Sequence, residues 1–216
     1  MNINISELSS ETLTHERENA LQSGQFELLL GYFGFIYSAK QPFKMLDIVK
    51  NLNHRGVKTK LIICGDFPDG HSEEKRKFIE YIELFNLNNF VDLRGYIDNE
   101  AALQLILSAC DLNIQLYDDG VSTRRSSFWY AIEAGLNVIT TKPHLQQEFV
   151  DIENFDVFND SKLTLVDIDI PVSNMVEEIC KLKAKWTPPL RRHVAVSWKD
   201  IGLSHVKIYR EAEAAL

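Results

Sequence analysis

Apolar runs of strand length recur along the chain at 26–34, 57–65, 90–95, 112–116 and 137–141, each bounded by glycine or turn residues. Between them, the segments 42–53, 72–85, 101–109 and 126–134 repeat their apolar positions with the period of a helix. Strands alternating with helices of this length predict right-handed crossovers and a parallel sheet covered on both faces. The unbroken apolarity of LIIC and LNVI fits strands buried on both sides. Capping residues agree with this layout. Asp98 or Asn99 is placed to cap the helix AALQLILSA, and Ser72 precedes EEKRK with acids in its first turn.

After Thr141 the pattern loosens. The reading there is a short segment at 145–150, a strand at 155–158, and an acidic link, SKLTLVDIDIP. Helices return at 172–186 and 190–195, with Pro188 and Pro189 as breakers between them. In the last helix Trp198, Ile201, His205, Ile208 and Tyr209 form one apolar and aromatic stripe. The expected organisation is α/β: a leading segment with a short helix at 1–25, a Rossmann-like domain at 26–185, and C-terminal helices at 186–216. No internal repeat or low-complexity tract is present.

Composition narrows the function. With 31 acidic against 23 basic residues the net charge is −8, which argues against nucleic acid as a partner. No run approaches the roughly 18 apolar residues of a membrane-spanning helix. The 3 cysteines, Cys64, Cys110 and Cys180, lie far apart in apolar stretches and read as buried thiols. An odd count without metal or redox spacing fits a reducing compartment, so the expected location is the cytoplasm. The 6 histidines share no metal-binding spacing, and no metal is expected.

In an open parallel sheet, ligands bind beyond the carboxyl ends of the strands. The segment DDGVSTRRSSFWYAIEAGLNVITT occupies one such end. Two acids and a glycine make a turn, Ser122 or Thr123 is placed to cap the next helix, and the first N–H groups of that helix form an anion site. Arg124 and Arg125 add positive charge where the macrodipole disfavours it, as a bound anion would require. The alternative is that both arginines face solvent or pair with Asp118 and Asp119. Gly31 and Gly34 bracket the first strand end; they either let a diphosphate approach the backbone or are ordinary turn glycines. Asp66 either contacts a ligand or caps a turn before Pro68.

AGLNVITT, together with the loop GVSTRR, resembles the donor-binding half of group 1 (family 4) glycosyltransferases. GYFGFIYSAKQPFKMLDIVKNL, LIICGD, FVDLRGYID and SWKDIGLSHVKIYREA follow in that family's order, so the resemblance covers nearly all of the chain. It implies one Rossmann-like half of a GT-B architecture, with a nucleotide-diphosphate sugar as substrate and no cofactor. An acceptor site would belong to an N-terminal domain, in the same or a separate polypeptide.

The resemblance also assigns residues. Lys40 matches the lysine that holds the donor phosphate, and Gln41 stands where a glycine usually follows. Phe35 occupies the place of the arginine that usually accompanies this lysine, so Arg124 or Arg125 is expected to supply the missing charge. Gly95, Tyr96 and Ile97 match the loop that meets the nucleobase, and Asp66 follows the glycine of the second strand. Two glutamates of the family fall at Ser122 and Tyr130, where neither residue is acidic; the second normally holds the ribose. Candidate donor-binding residues are therefore Gly34, Lys40, Asp66, Tyr96, Ile97, Ser122, Thr123, Arg124, Arg125, Ser126 and Tyr130, and no catalytic residue is assigned. The resemblance implies transfer with retention of configuration. A non-catalytic nucleotide-binding or scaffolding module of the same fold is the alternative. A phosphoacceptor receiver domain is disfavoured, because the first strand ends in FGF without an acidic cluster.

Overall fold

A computed structural model of the chain describes residues 10–22, 24–145 and 162–183. Six parallel strands form one sheet: β1 (Leu28–Phe33), β2 (Thr59–Cys64), β3 (Val91–Gly95), β4 (Leu112–Gln115), β5 (Val138–Thr141) and β6 (Leu163–Val166). The helices are α1 (Ser10–Ala20), α2 (Pro42–His54), α3 (Ser72–Leu84), α4 (Glu100–Ala109), α5 (Ser126–Glu133) and α6 (Val172–Lys183), with a 3-10 turn at Ser38–Lys40. The first five strands and the helices between them lie where the apolar pattern puts them.

Strand order is β3-β2-β1-β4-β5-β6, so the sheet winds outward in both directions from the β1/β4 pair. Residue alternation on the strands sorts the core into two layers. On one face Leu28, Leu30, Leu61, Ile63, Ile114 and Ile139 meet Met45 and Val49 of α2, Phe78 and Ile82 of α3, and Met175 and Val176 of α6. On the other, Leu29, Ile62 and Val138 meet Leu103 and Leu107 of α4 and Phe128 and Ala131 of α5. Burial of each such side chain contributes about 1.5–3 kcal/mol relative to leaving it in water. The crossover helices change face between β3 and β4, which makes the β1/β4 boundary the topological switch point. Ligand sites in such sheets lie at the carboxyl ends of the strands there.

α1 is tied to this frame through Arg17, which donates to the Ala109 carbonyl at 2.8 Å and to Asp111 Oδ1 at 2.6 Å. The second oxygen of Asp111 accepts the Leu29 N–H at 2.7 Å. One buried carboxylate thus joins α1, β1 and the start of β4.

Three expectations are corrected. The link SKLTLVDIDIP contains a strand: β6 pairs parallel with β5, Val138 beside Leu163 through Thr141 beside Val166. Its L-T-L-V alternation is short and only Val166 is fully buried, so an edge strand passed for an acidic connector. Ser72 is the first helical residue of α3 and His71 occupies the cap position without a side-chain cap bond. Cys180 is only partly buried, unlike Cys64 and Cys110. Asn99 caps α4 as expected, its side chain accepting from the Ala102 N–H at 2.9 Å. The segment at 145–150 beyond Leu145, the strand at 155–158, the helix at 190–195 and the terminal aromatic stripe lie outside the described residues. Among the described residues no helix is long and apolar enough to cross a membrane.

Candidate functional site

Two loops meet at the switch point, one leaving β1 and one leaving β4. The first runs from Gly34 to Lys40 and is held by three bonds. Gly34 N–H donates to the Cys64 carbonyl at 3.1 Å, Ile36 N–H to the Asp66 carbonyl at 3.0 Å, and the Tyr32 hydroxyl to the Phe35 carbonyl at 2.6 Å. The second loop is clamped to it and to β5. Asp118 N–H donates to the Ala39 carbonyl at 3.0 Å, and Val121 N–H to the Thr141 carbonyl at 3.2 Å. Rigid strand ends therefore set the distance between the loops.

Lys40 ends the 3-10 turn and points into the protein, with only 7% of its surface exposed. The chain leaves it through Gln41, which adopts the left-handed conformation (φ 48°, ψ 48°) before Pro42 begins α2. That conformation accounts for the glycine the resemblance leads one to expect at this position, and Gln41 takes it at a cost of about 1–2 kcal/mol.

No carboxylate pairs with the Lys40 ammonium among the described residues. Its hydrogen-bond acceptor there is Ser127 Oγ, at a long 3.4 Å. The rings of Tyr37 and Tyr32 lie 5.6 and 5.7 Å away, favourable to a cation but without full charge. Burial, and after it the nearby Arg125 guanidinium, lowers the Lys40 pKa to about 8. A buried cation without a counter-charge is costly unless something negative joins it.

Arg125 reaches the same place from the second loop. Its guanidinium carbon lies 4.6 Å from the centre of the Tyr117 ring, and one nitrogen donates to the Tyr37 hydroxyl at 3.4 Å. Another nitrogen is paired with Asp119. Arg125 Nε is buried and has no hydrogen-bond partner. Lys40 and Arg125 thus both lie beside Tyr37, close to the first turn of α5. In that helix the Phe128 N–H already donates to the Arg125 carbonyl at 3.0 Å, so the N–H groups ahead of it, of Ser126 and Ser127, are the ones placed to favour negative charge.

Beneath the cations lies a neutral polar cluster that the motif reading missed. Gln115 Nε2 donates to the Phe33 carbonyl at 3.2 Å, Ser127 Oγ donates to Gln115 Oε1 at 3.2 Å, and the Tyr117 hydroxyl is 3.2 Å from both Gln115 Oε1 and Ser127 Oγ. Burial lifts the Tyr117 phenol to about 12, so it stays protonated. The signal was in and just after β4: Asn113, Gln115 and, two residues past the strand, Tyr117 repeat at period two in an otherwise apolar stretch.

The remaining predicted residues divide. Gly34, with φ 120°, lies against Lys40 and Ser127 and belongs to the site. Ser126 opens α5 and is exposed. Ser122 and Thr123 do not cap that helix. Arg125 is the cap residue, without a side-chain cap bond; the Ser122 carbonyl accepts the Arg125 N–H at 3.1 Å, and the Thr123 carbonyl accepts Trp129 Nε1–H at 2.8 Å. The turn closes on backbone oxygens, which moves the helix start past both hydroxyls. Arg124 is exposed, so of the two arginines the inward one is Arg125, and pairing with Asp119 holds for it as well.

The Asp66 carboxylate accepts the Phe67 N–H at 2.8 Å and pairs with Lys75 at 2.8 Å, with the Lys75 bond foremost in lowering its pKa. Those contacts describe the turn cap. Tyr96 is 77% exposed beyond β3, and Ile97 packs against the α4/α5 core layer. The described contacts join neither to Lys40. Tyr130 stacks at a tilt on Phe33, with ring centres 5.1 Å apart; burial, then Glu100, raises its phenol pKa. Phe35 is exposed and contributes no charge.

Fold and site together define a doubly wound α/β domain with two cations, Lys40 and Arg125, at its switch point. Compared by sequence, the chain matches no family profile and no curated protein. Solved structures do match. The Anabaena protein Alr3699/HepE, in complex with UDP and glucose, superposes with a TM-score of 0.66 over 100% of this chain and 55% of its own, at 16% identity. Sucrose-phosphate synthase from Thermosynechococcus elongatus gives 0.64 over 94% of this chain and 49% of its own, at 18% identity. The C-terminal domain of LpcC, a glycosyl transferase group 1 family protein from Francisella tularensis, gives 0.57 over 78% of this chain and 86% of its own, at 14% identity. The chain therefore has the Rossmann-like fold of the C-terminal domain of group 1, GT-B glycosyltransferases, and it spans about half the length of the Anabaena protein.

Proposed function

We propose that this chain is the donor half of a glycosyltransferase, binding a nucleotide-diphosphate sugar for transfer of the glycosyl group to an acceptor held by a second, N-terminal domain. The observation that carries this reading is the buried Lys40 ammonium, without a carboxylate partner among the described residues and beside Arg125 at the switch point. A diphosphate supplies the absent negative charge. It accepts from Lys40, from the unpartnered Arg125 Nε and from the first N–H groups of α5. Arg125 thereby takes the part that Phe35 cannot.

In transfer the leaving diphosphate gains charge as the glycosyl bond breaks, and fixed positive groups in a closed site stabilise that change. A retaining reaction, with the acceptor attacking from the face the diphosphate leaves, places all of this demand on the donor half. The nucleotide sugar is substrate, and the reading calls for no resident cofactor or metal.

A nucleotide-binding scaffold without transfer activity is the second reading. Ser122 and Tyr130 favour it: Tyr130 is engaged with Phe33, and no acid stands at either position. A thermal-shift panel of nucleotide sugars, set against the free nucleoside diphosphates, on wild type and Lys40→Ala separates a site that recognises the donor sugar from one that binds nucleotide alone. Donor transfer predicts stabilisation by a particular nucleotide sugar that is lost in the variant; absence of any shift across the panel contradicts it.

A further inference from the structure

We propose that Ser127 is a positioning residue for Lys40, with Gln115 and Tyr117 fixing the direction of its hydroxyl so that a lone pair, and never its proton, faces the ammonium. The inference rests on the reading of Lys40 as the diphosphate-binding cation and adds the device that keeps it ready.

The direction of the Ser127 hydroxyl follows from a count of protons. Gln115 Nε2 donates to the Phe33 carbonyl, a backbone acceptor in β1 that cannot move without breaking the strand. This fixes the amide, so Gln115 Oε1 faces the two hydroxyls of Ser127 and Tyr117 as an acceptor only. Both hydroxyls can direct their protons to it. Ser127 then has its lone pairs turned outward, toward Lys40 Nζ at 3.4 Å. The charged and titratable groups facing Lys40 are Arg125 from the loop before α5, Tyr32 from β1, Tyr37 from its own loop, and Tyr117 beyond Ser127. None of them is an anion, and Asp119 is occupied by Arg125.

A carboxylate in place of Ser127 would satisfy the lysine and compete with a phosphate. A methyl group would leave the ammonium without an acceptor and favour its neutral form. A hydroxyl of fixed direction lies between these extremes: it keeps the ammonium pointed at the site and leaves two of its three protons for a ligand. Gly34 completes the arrangement, since a Cβ there would stand 2.7 Å from Lys40 Nζ and 3.3 Å from Ser127 Cβ.

The test is carried out on the full chain as wild type, Ser127→Ala and Ser127→Thr. Lysine labelled with carbon-13 at Cε reports the Lys40 titration by NMR in ligand-free protein, with Lys40→Arg assigning the signal. Calorimetry with UDP as probe gives diphosphate affinity from pH 7 to 9.5. Ser127→Ala is expected to move the Lys40 midpoint downward and to weaken UDP binding about tenfold at pH 7.5, the scale of one hydrogen bond to a charged group. Ser127→Thr keeps both near wild type. A Lys40 midpoint unchanged in Ser127→Ala overturns the proposal, whatever happens to affinity. A midpoint that moves in protein that in neither form binds UDP, ADP or GDP overturns the diphosphate reading instead, and leaves the hold of Ser127 on Lys40 standing.

Discussion

Gly34 and Lys40 occupy interlocking volumes: a methyl group on Gly34 would sit 2.7 Å from the lysine Nζ, nearer than non-bonded atoms approach. The bare backbone of the first loop is thus the wall against which the buried ammonium is placed. Gly34 also has φ 120°, outside the range that L side chains tolerate.

Gly34→Ala is therefore expected to act twice. Backbone strain costs about 1–3 kcal/mol of stability. The displaced ammonium lowers diphosphate affinity beyond what the lost stability explains. Urea denaturation measures the first effect and calorimetric titration of the still-folded protein the second.

The arginines should separate cleanly. Arg125→Ala removes a group that stacks on Tyr117, reaches Tyr37 and carries an unpartnered Nε, and is expected to weaken diphosphate binding about 10- to 100-fold. Arg124→Ala, at an exposed position, is expected to change it less than about threefold. Parallel titrations of the two variants check this.

Lys40 sets a pH dependence of definite sign. Its folded pKa, about 8, lies below the ordinary lysine value of 10.5, so between these values the unfolded chain holds the extra proton. Stability from this group therefore rises with pH across that window and is at its lowest below about pH 8. Diphosphate affinity runs the other way, falling as pH rises past about 8, because the ligand selects the charged form. Lys40→Met should abolish both trends. Urea midpoints and UDP titrations at pH 7.5 and 9.5, compared between wild type and variant, measure them.

At the opposite end of the sheet, Asp111 is predicted to be structural. Burial raises its carboxyl pKa against the lowering pull of the Leu29 N–H and Arg17. Asp111→Ala takes the acceptor from the Leu29 N–H and from one nitrogen of Arg17 and is expected to cost about 3 kcal/mol. A urea midpoint shift with unchanged diphosphate affinity in the folded variant is the expected outcome.

Most of the fold was legible because parallel strands buried on both faces leave long apolar runs, as in LIIC and LNVI. β6 was not, because an edge strand with one fully buried residue leaves almost no such trace. Within the site, Gly34 was legible from its place at the first strand end, and Lys40 from the resemblance to the glycosyltransferase family. The choice between Arg124 and Arg125 was not, since it depends on where the α5 turn closes, and that turn closes on the Ser122 and Thr123 carbonyls instead of their hydroxyls. Gln115 and Ser127 escaped for a different reason. Gln115 lies in a strand read for its apolar burial and Ser127 at the end of the polar run that starts at Ser122, and only the strand-to-helix packing brings their oxygens together beneath the lysine.

The most direct measurement is the preference of the protein for nucleoside diphosphates over the matching monophosphates, by calorimetry, in wild type and Lys40→Met. Convergence of Lys40 and Arg125 on a diphosphate predicts a preference of at least about tenfold in wild type, reduced severalfold or more in the variant. Equal binding of both nucleotides by wild type, or a preference that survives loss of the lysine, would contradict it.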